Sequence, residues 1–229
     1  MSGPVVLAWS GGKDAGWTLH TLRSAGVEVV ALLTTLTRGD PRVSMQGIRR
    51  EVLHAQAQAA RLSLVEAWID SHCDNQAYEI AFAGALVACA EQWPQVRTVA
   101  FGDLYLEDIR QYRTELCARH GWDVATPLFG RDTGVLAREM IEGGLVAQVC
   151  CVDTTQLDAR FGGRMFDHSL LADLPGAVDP CGENGEFHTC VSAGPMFAVP
   201  LAIEVGDTDL RDGRFAFTDL RHQARVGAK

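Results

Sequence analysis

The chain has 229 residues, 47% of them hydrophobic and 21% charged, enough to bury one core, or one core and a smaller lobe. Its formal net charge of −9 excludes broad, sequence-independent binding to nucleic acid, which needs clustered Lys and Arg to displace phosphate counterions. No apolar run reaches the length of a membrane span, the opening Met1-Ser2-Gly3-Pro4 does not read as a signal peptide, and the seven cysteines include no C-x-x-C pair, so a reducing, cytoplasmic setting is expected.

Val5 to Trp9 is an unbroken apolar run, as expected of a buried parallel strand. After the Ser10-Gly11-Gly12 turn, Asp14 to Ala25 reads as a helix stopped by Gly26. Val27 to Leu33 reads as a second strand, and Thr34 to Met45 as a polar loop. Ile48, Val52, Ala55, Ala59 and Leu62 recur at helical spacing, and Leu64 to Ile69 is a third strand. Asp74 caps a helix to about Gln92, Thr98 to Phe101 is a fourth strand, and a helix follows from about Leu106 to His120. Asp123 to Thr126 reads as a fifth strand. This alternation predicts an α/β fold with an open, mostly parallel sheet over residues 1–126.

The pattern changes after Pro127. A helix opening at Asp132 or Thr133 and closing at Gly143-Gly144 leads to an apolar strand, Leu145 to Asp153. A long loop is expected from Gln156 to Gly194, then a hairpin of Phe197 to Val205 and Arg214 to Thr218, joined through Asp212-Gly213. Residues 127–229 are therefore expected to form a smaller α+β, substrate-binding lobe.

Two stretches carry chemistry. In Ser10-Gly11-Gly12-Lys13-Asp14, two glycines between a strand and a helix let the backbone approach a ligand closely. The N–H groups of the following first turn then face an anion, aided by the helix dipole. Ser10 adds a hydroxyl and Lys13 a cation, while Asp14 caps the helix or holds a Mg²⁺ that phosphates also ligate. Only Lys13 and Lys229 are lysines among the 20 basic residues, so the ammonium behind the glycines stands out from the arginine background. The second stretch, Asp179-Pro180-Cys181-Gly182-Glu183-Asn184-Gly185-Glu186-Phe187-His188-Thr189, gathers carboxylates, an amide, an imidazole and a hydroxyl around two glycines. The spacing of Cys181, His188 and Cys190 matches no familiar zinc pattern.

The first loop lacks GxxxxGK[ST] and GxGxxG. It resembles the pyrophosphate loop, SGGxDS, of the ATP pyrophosphatases, with Ala15 where that family usually has Ser. The second stretch resembles the EGGEFET motif of the diphthine–ammonia ligase family, with Asn184 in place of Gly and His188 in place of Glu. Gly102-Asp103-Leu104, Tyr112-Arg113-x-Glu115 and Thr126 to Thr133 resemble that family too, so the likeness runs along almost the whole chain.

The resemblance implies an open sheet of the adenine nucleotide alpha hydrolase (HUP) type, an ATP-binding domain over residues 1–126, and ATP cleaved to AMP and PPi. A carboxylate, small-molecule or protein-borne, would be adenylated and then joined to ammonia. It implies Lys13, Asp14, Glu183 and Glu186 as catalytic groups. Ser10, Gly11, Gly12, Lys13, Asp14, Leu33, Thr34, Gly102 and Asp103 would bind ATP, with Mg²⁺ on Asp14 and Asp103. Asn184, Gly185, His188 and Arg113 would bind the acceptor. Self-association into a homodimer is compatible with all of this. Two other readings stay open: a module that holds ATP or AMP without turnover, and an RNA-modifying enzyme using the same ATP chemistry.

Overall fold

The computed structural model describes residues 3–43 and 45–223. Five strands, β1 (Val5–Ala8), β2 (Val29–Thr37), β3 (Ser63–Ile69), β4 (Thr98–Ala100) and β5 (Asp123–Ala125), form one sheet in the order β3-β2-β1-β4-β5. Every pairing in it is parallel, so the expected α/β sheet is what the chain builds. Its strands are short and apolar because helices cover both faces. Helices α3 (Asn75–Gln92) and α4 (Glu107–Arg119) cover one face through Phe82, Leu86, Leu116 and Cys117, packed on Val6, Leu33 and Phe101. Helices α1 (Lys13–Ser24), α2 (Arg50–Ala60) and α5 (Thr133–Glu142) lie on the other.

A second sheet is antiparallel. Strands β6 (Val146–Asp153), β7 (Phe187–Ala193), β8 (Ile203–Arg211) and β9 (Phe215–His222) run in the order β7-β6-β9-β8. A six-residue helix, α6 (His168–Asp173), sits in the connection from β6 to β7. Strand β7 lies over α1, where the side chains of Val191 and Met196 come against Gly16. One continuous core therefore contains Leu7 and Leu19 of the first sheet layer together with Val149, Phe187 and Val191 of the second.

Three expected boundaries move. The second strand does not stop at Leu33 but continues to Thr37, since Ala31 to Thr37 pair in unbroken register with Ser63 to Ile69; the β-branched threonines suit that extension. The supposed loop Gln156–Gly194 contains β7, paired along six positions with β6. The first hairpin strand is Ile203–Arg211, not Phe197–Val205. Phe197 and Leu201 pack against the core outside any strand, with the Ala198 and Leu201 N–H groups donating to Ala59 and Ser192 carbonyls. The turn itself is as expected, Asp212 and Gly213 both holding positive φ (52° and 63°).

Strand order reverses between β1 and β4, so a crevice opens beyond their carboxyl ends, the place where ligands sit in open α/β sheets. The site lies there.

Candidate active site

A cleft of about 460 Å³ opens at that switch point, within the range of small-ligand sites. Its floor is the glycine loop between β1 and α1. Its walls are the turn after β4, the start of α4, Val43, Met45 and Gln46, and the 181–189 stretch. The two chemistry-bearing stretches, 170 residues apart in sequence, thus face one another.

The loop is shaped from behind. Gly11 has φ +80°, and a Cβ there would come within 2.9 Å of Gln56, Ile48 and Leu53. Gln56, fully buried on α2, donates through Nε2 to the Gly11 carbonyl (3.0 Å) and the Val191 carbonyl (2.7 Å). Its Oε1 accepts from Trp9 Nε1 (2.9 Å). A glutamine inside the core with every strong group satisfied fixes one geometry; here it locks the loop to β7.

The first turn of α1 is half occupied. Gly12 N–H donates weakly to Ser10 Oγ (3.3 Å), and Lys13 N–H donates to Thr189 Oγ1 (3.1 Å). The Ala15 N–H has no acceptor on another described residue and the Asp14 N–H turns only onto its own carboxylate, so both can be offered to an anion. Lys13 is 2% exposed. Its ammonium donates to Asp14 Oδ2 (2.8 Å) and to the Cys181 carbonyl, 5.7 Å from the ring centres of both Phe166 and Phe187. Burial alone would lower its pKa; Asp14 above all, with Cys181 and Glu183, outweighs that and raises it. Lys13 is therefore a buried cation.

Gly102 brings the turn after β4 onto α1. A Cβ at this position would lie 3.0 Å from the Asp14 backbone carbon and 3.1 Å from the Ala15 nitrogen. Asp103 consequently sits beside Asp14, and both line the cleft. Arg113 holds Asp103 through Oδ1 while stacking 4.5 Å from the Phe101 ring centre. Burial lifts both carboxyls above their usual range, against the opposing pull of Lys13 on one and Arg113 on the other. Asp14 Oδ1 and Asp103 Oδ2 are buried without a partner. Two such oxygens in one cleft fit an oxygen-loving divalent cation that completes its shell with waters and phosphates. Among the described residues no three His, Cys, Asp or Glu side chains are placed to enclose an ion by themselves.

In the second stretch, Glu183 and His188 line the cleft while Asn184 and Glu186 do not. Burial, with Asp14 adding to it, pushes the Glu183 carboxyl up to about 7. Burial and the Lys13 charge hold the His188 imidazole down at about 4, hence neutral. Glu186, 2% exposed, is consumed by its own loop: it accepts from the N–H groups of Asp179 (2.8 Å) and Asn184 (2.9 Å) and from Asn184 Nδ2 (3.0 Å). Asp179 does the same for Cys181 (2.8 Å) and receives the Thr133 hydroxyl (2.6 Å).

On the β2 side, Leu33 and Thr35 line the cleft. Thr34 falls between them, and strand alternation points its side chain to the other face; its hydroxyl is buried without a partner. Ser10, Gly12, Lys13, Asp14, Gly102, Asp103, Arg113 and Gly185 all join the lining, and Gly11 supports it from behind. Sequence reasoning passed over Gln56 and Thr189 as shaping residues. Thr189 closes a stretch already singled out, but nothing in the run Ala55-Gln56-Ala57-Gln58 marks one glutamine for the core.

A family described as Diphthamide synthase C-terminal domain matches residues 132–223. The chain is also similar to the diphthine--ammonia ligase of Schizosaccharomyces pombe (strain 972 / ATCC 24843). The two are 27% identical over 206 residues, which cover 82% of this chain and 34% of that relative. The chain thus spans about a third of the relative's length. The segment that matches this family and the glycine loop meet at one cleft, and the chain is similar to the diphthine–ammonia ligase over most of its length.

Proposed function

We propose that the chain is an ATP-dependent ligase that activates a carboxylate as its adenylate, releases PPi, and joins the acyl group to ammonia with release of AMP. One observation carries this reading: the glycine loop, with a buried lysine at the start of α1, faces Glu183 and His188 across a single cleft. Residues 1–126 would bind the nucleotide and residues 127–229 the acceptor.

The Asp14 and Ala15 N–H groups would take phosphate oxygens, with the third N–H of the Lys13 ammonium beside them. Mg²⁺ bound by Asp14 and Asp103 would offset charge on the departing pyrophosphate. An oxygen of the acceptor carboxylate attacks the α-phosphorus, and the bond to the bridging oxygen of pyrophosphate breaks. Ammonia then attacks the acyl carbon, AMP leaves, and Glu183 takes the proton that the new amide sheds. The neutral His188 offers one donor and one acceptor to the acceptor molecule. Arg113 acts through Asp103, which it orients. The seven free cysteines suit a reducing cytoplasm.

A second reading, a protein that holds ATP or AMP without turnover, is favoured by Ala15 in place of a phosphate-binding serine and by the Thr189 hydroxyl already on the Lys13 N–H. Incubation with ATP, Mg²⁺, ammonium and a metabolite pool separates the two. AMP and PPi in equal amounts with a new amide, followed by mass, is the expected outcome. Release of ADP, or tight ATP binding with no product, would overturn the ligase reading.

A further inference from the structure

Beside the Leu104 N–H that reaches the Glu183 carboxylate, a hydrogen bond between two side chains joins the walls of the cleft just outside its lining. Tyr105, in the turn between β4 and α4, donates its hydroxyl to Asn184 Oδ1 at 2.8 Å. These residues are 79 positions apart and belong to opposite walls. Each is flanked by lining residues, Asp103 and Leu106 on one side, Glu183 and Gly185 on the other. Tyr105 is 38% exposed and Asn184 is exposed, so the bond stands in solvent. Both ends are held from behind. Asn184 Nδ2 donates to the buried Glu186, and the Asn184 carbonyl accepts from Gln156 Nε2 (3.3 Å). On the other wall the Leu104 carbonyl accepts from the Gly130 N–H (2.6 Å).

We propose that Tyr105 and Asn184 form a latch that ties the two walls of the cleft together and sets how fast nucleotide enters and leaves. The idea rests on the nucleotide reading of the cleft for its second half, and on geometry alone for its first. A neutral hydrogen bond in water is weak enough to open often and strong enough to bias the closed form several-fold. The latch belongs to this chain's own sequence, because the EGGEFET form that residues 183–189 resemble has glycine, with no side chain, where Asn184 stands.

Tyr105→Phe removes only the hydroxyl. In the free protein, amide hydrogen exchange in residues 102–106 and 181–185 should rise together by about fivefold, and Asn184→Gly should do the same at residues 102–106. The double variant should exceed neither single one, as expected when two changes remove one shared contact. Unchanged exchange in Tyr105→Phe, or effects that add, would overturn the latch. With a fluorescent ATP analogue, association and dissociation rates in Tyr105→Phe should both rise by a similar factor; unchanged rates would refute the gating. A wild-type protein that never takes up the analogue would remove the nucleotide reading, and the exchange result would still decide whether the latch exists.

Discussion

The Lys13 ammonium has three N–H groups, and two are committed, to Asp14 and to the Cys181 carbonyl. One side chain therefore holds the loop at Cys181 and, under the proposed function, would also serve the nucleotide. Removing it strands the Asp14 carboxylate in a buried place, a costly change. Lys13→Ala should abolish AMP formation and also lose about 2–4 kcal/mol of stability, read by urea denaturation. A variant as stable as wild type would show that Lys13 does not hold that loop. Glu186 has a different duty. Three N–H donors converge on its carboxylate, so Glu186→Gln, which swaps an acceptor for a donor, should cost about 1–3 kcal/mol and loosen the whole 179–186 loop. An unaltered melting temperature with lost activity would restore Glu186 to the chemistry. From sequence, both residues were visible as candidates, because polar groups flanked by glycine stand out. Their division of labour was not, since it depends on which side chain faces inward, and loop residues follow no period that would tell.

Elements meet at the site through a close approach. Gly102 puts the turn after β4 against the first turn of α1, with no room for a methyl group. Gly102→Ala should push Asp103 away from Asp14, so that nucleotide affinity loses about tenfold or more of its Mg²⁺ dependence. Calorimetric titration with and without Mg²⁺ checks this, and an equal Mg²⁺ effect in both proteins would count against the paired carboxylates. Away from the cleft, Asp219 on β9 binds Arg49 in two-pronged fashion (2.7 and 2.8 Å), with Arg221 (2.7 Å) and Arg42 (3.2 Å) beside it. This ties the segment around α2 to the second sheet. The hydrogen bonds from Arg49 hold the Asp219 carboxyl well below its usual range. A depressed folded pKa adds stability in full above the unfolded value of about 3.9, and that share fades as the pH falls toward the folded value. The gap between wild type and Asp219→Asn, about 1–2 kcal/mol at pH 7 after solvent screening, should therefore shrink between about pH 4 and pH 2. A constant gap would contradict the network. Most elements were legible because apolar periodicity and glycine stops marked them. Strand β7 was not: Phe187-His188-Thr189-Cys190 mixes polar and apolar residues on both faces, since one side meets α1 and the other α2 and the cleft.

At the scale of the whole molecule, the two sheets share a core, so α1 is sandwiched between layers that sequence reasoning assigned to separate lobes. Val5, Leu7 and Leu19 share that core with Val149, Phe187 and Val191. Heat should therefore unfold the chain in a single step, with the transition coincident by near- and far-ultraviolet circular dichroism. Two resolved transitions would show that the halves fold apart. One more consequence belongs to the rim of the second sheet. Strand β8 is its outermost member and almost wholly exposed, with Glu204, Asp207, Asp209 and Arg211 along it and a register shift between Val205 and Thr208. Such a crooked, charged border disfavours the addition of another strand there, so the same hairpin that completes the fold also blunts this edge against amyloid-like stacking.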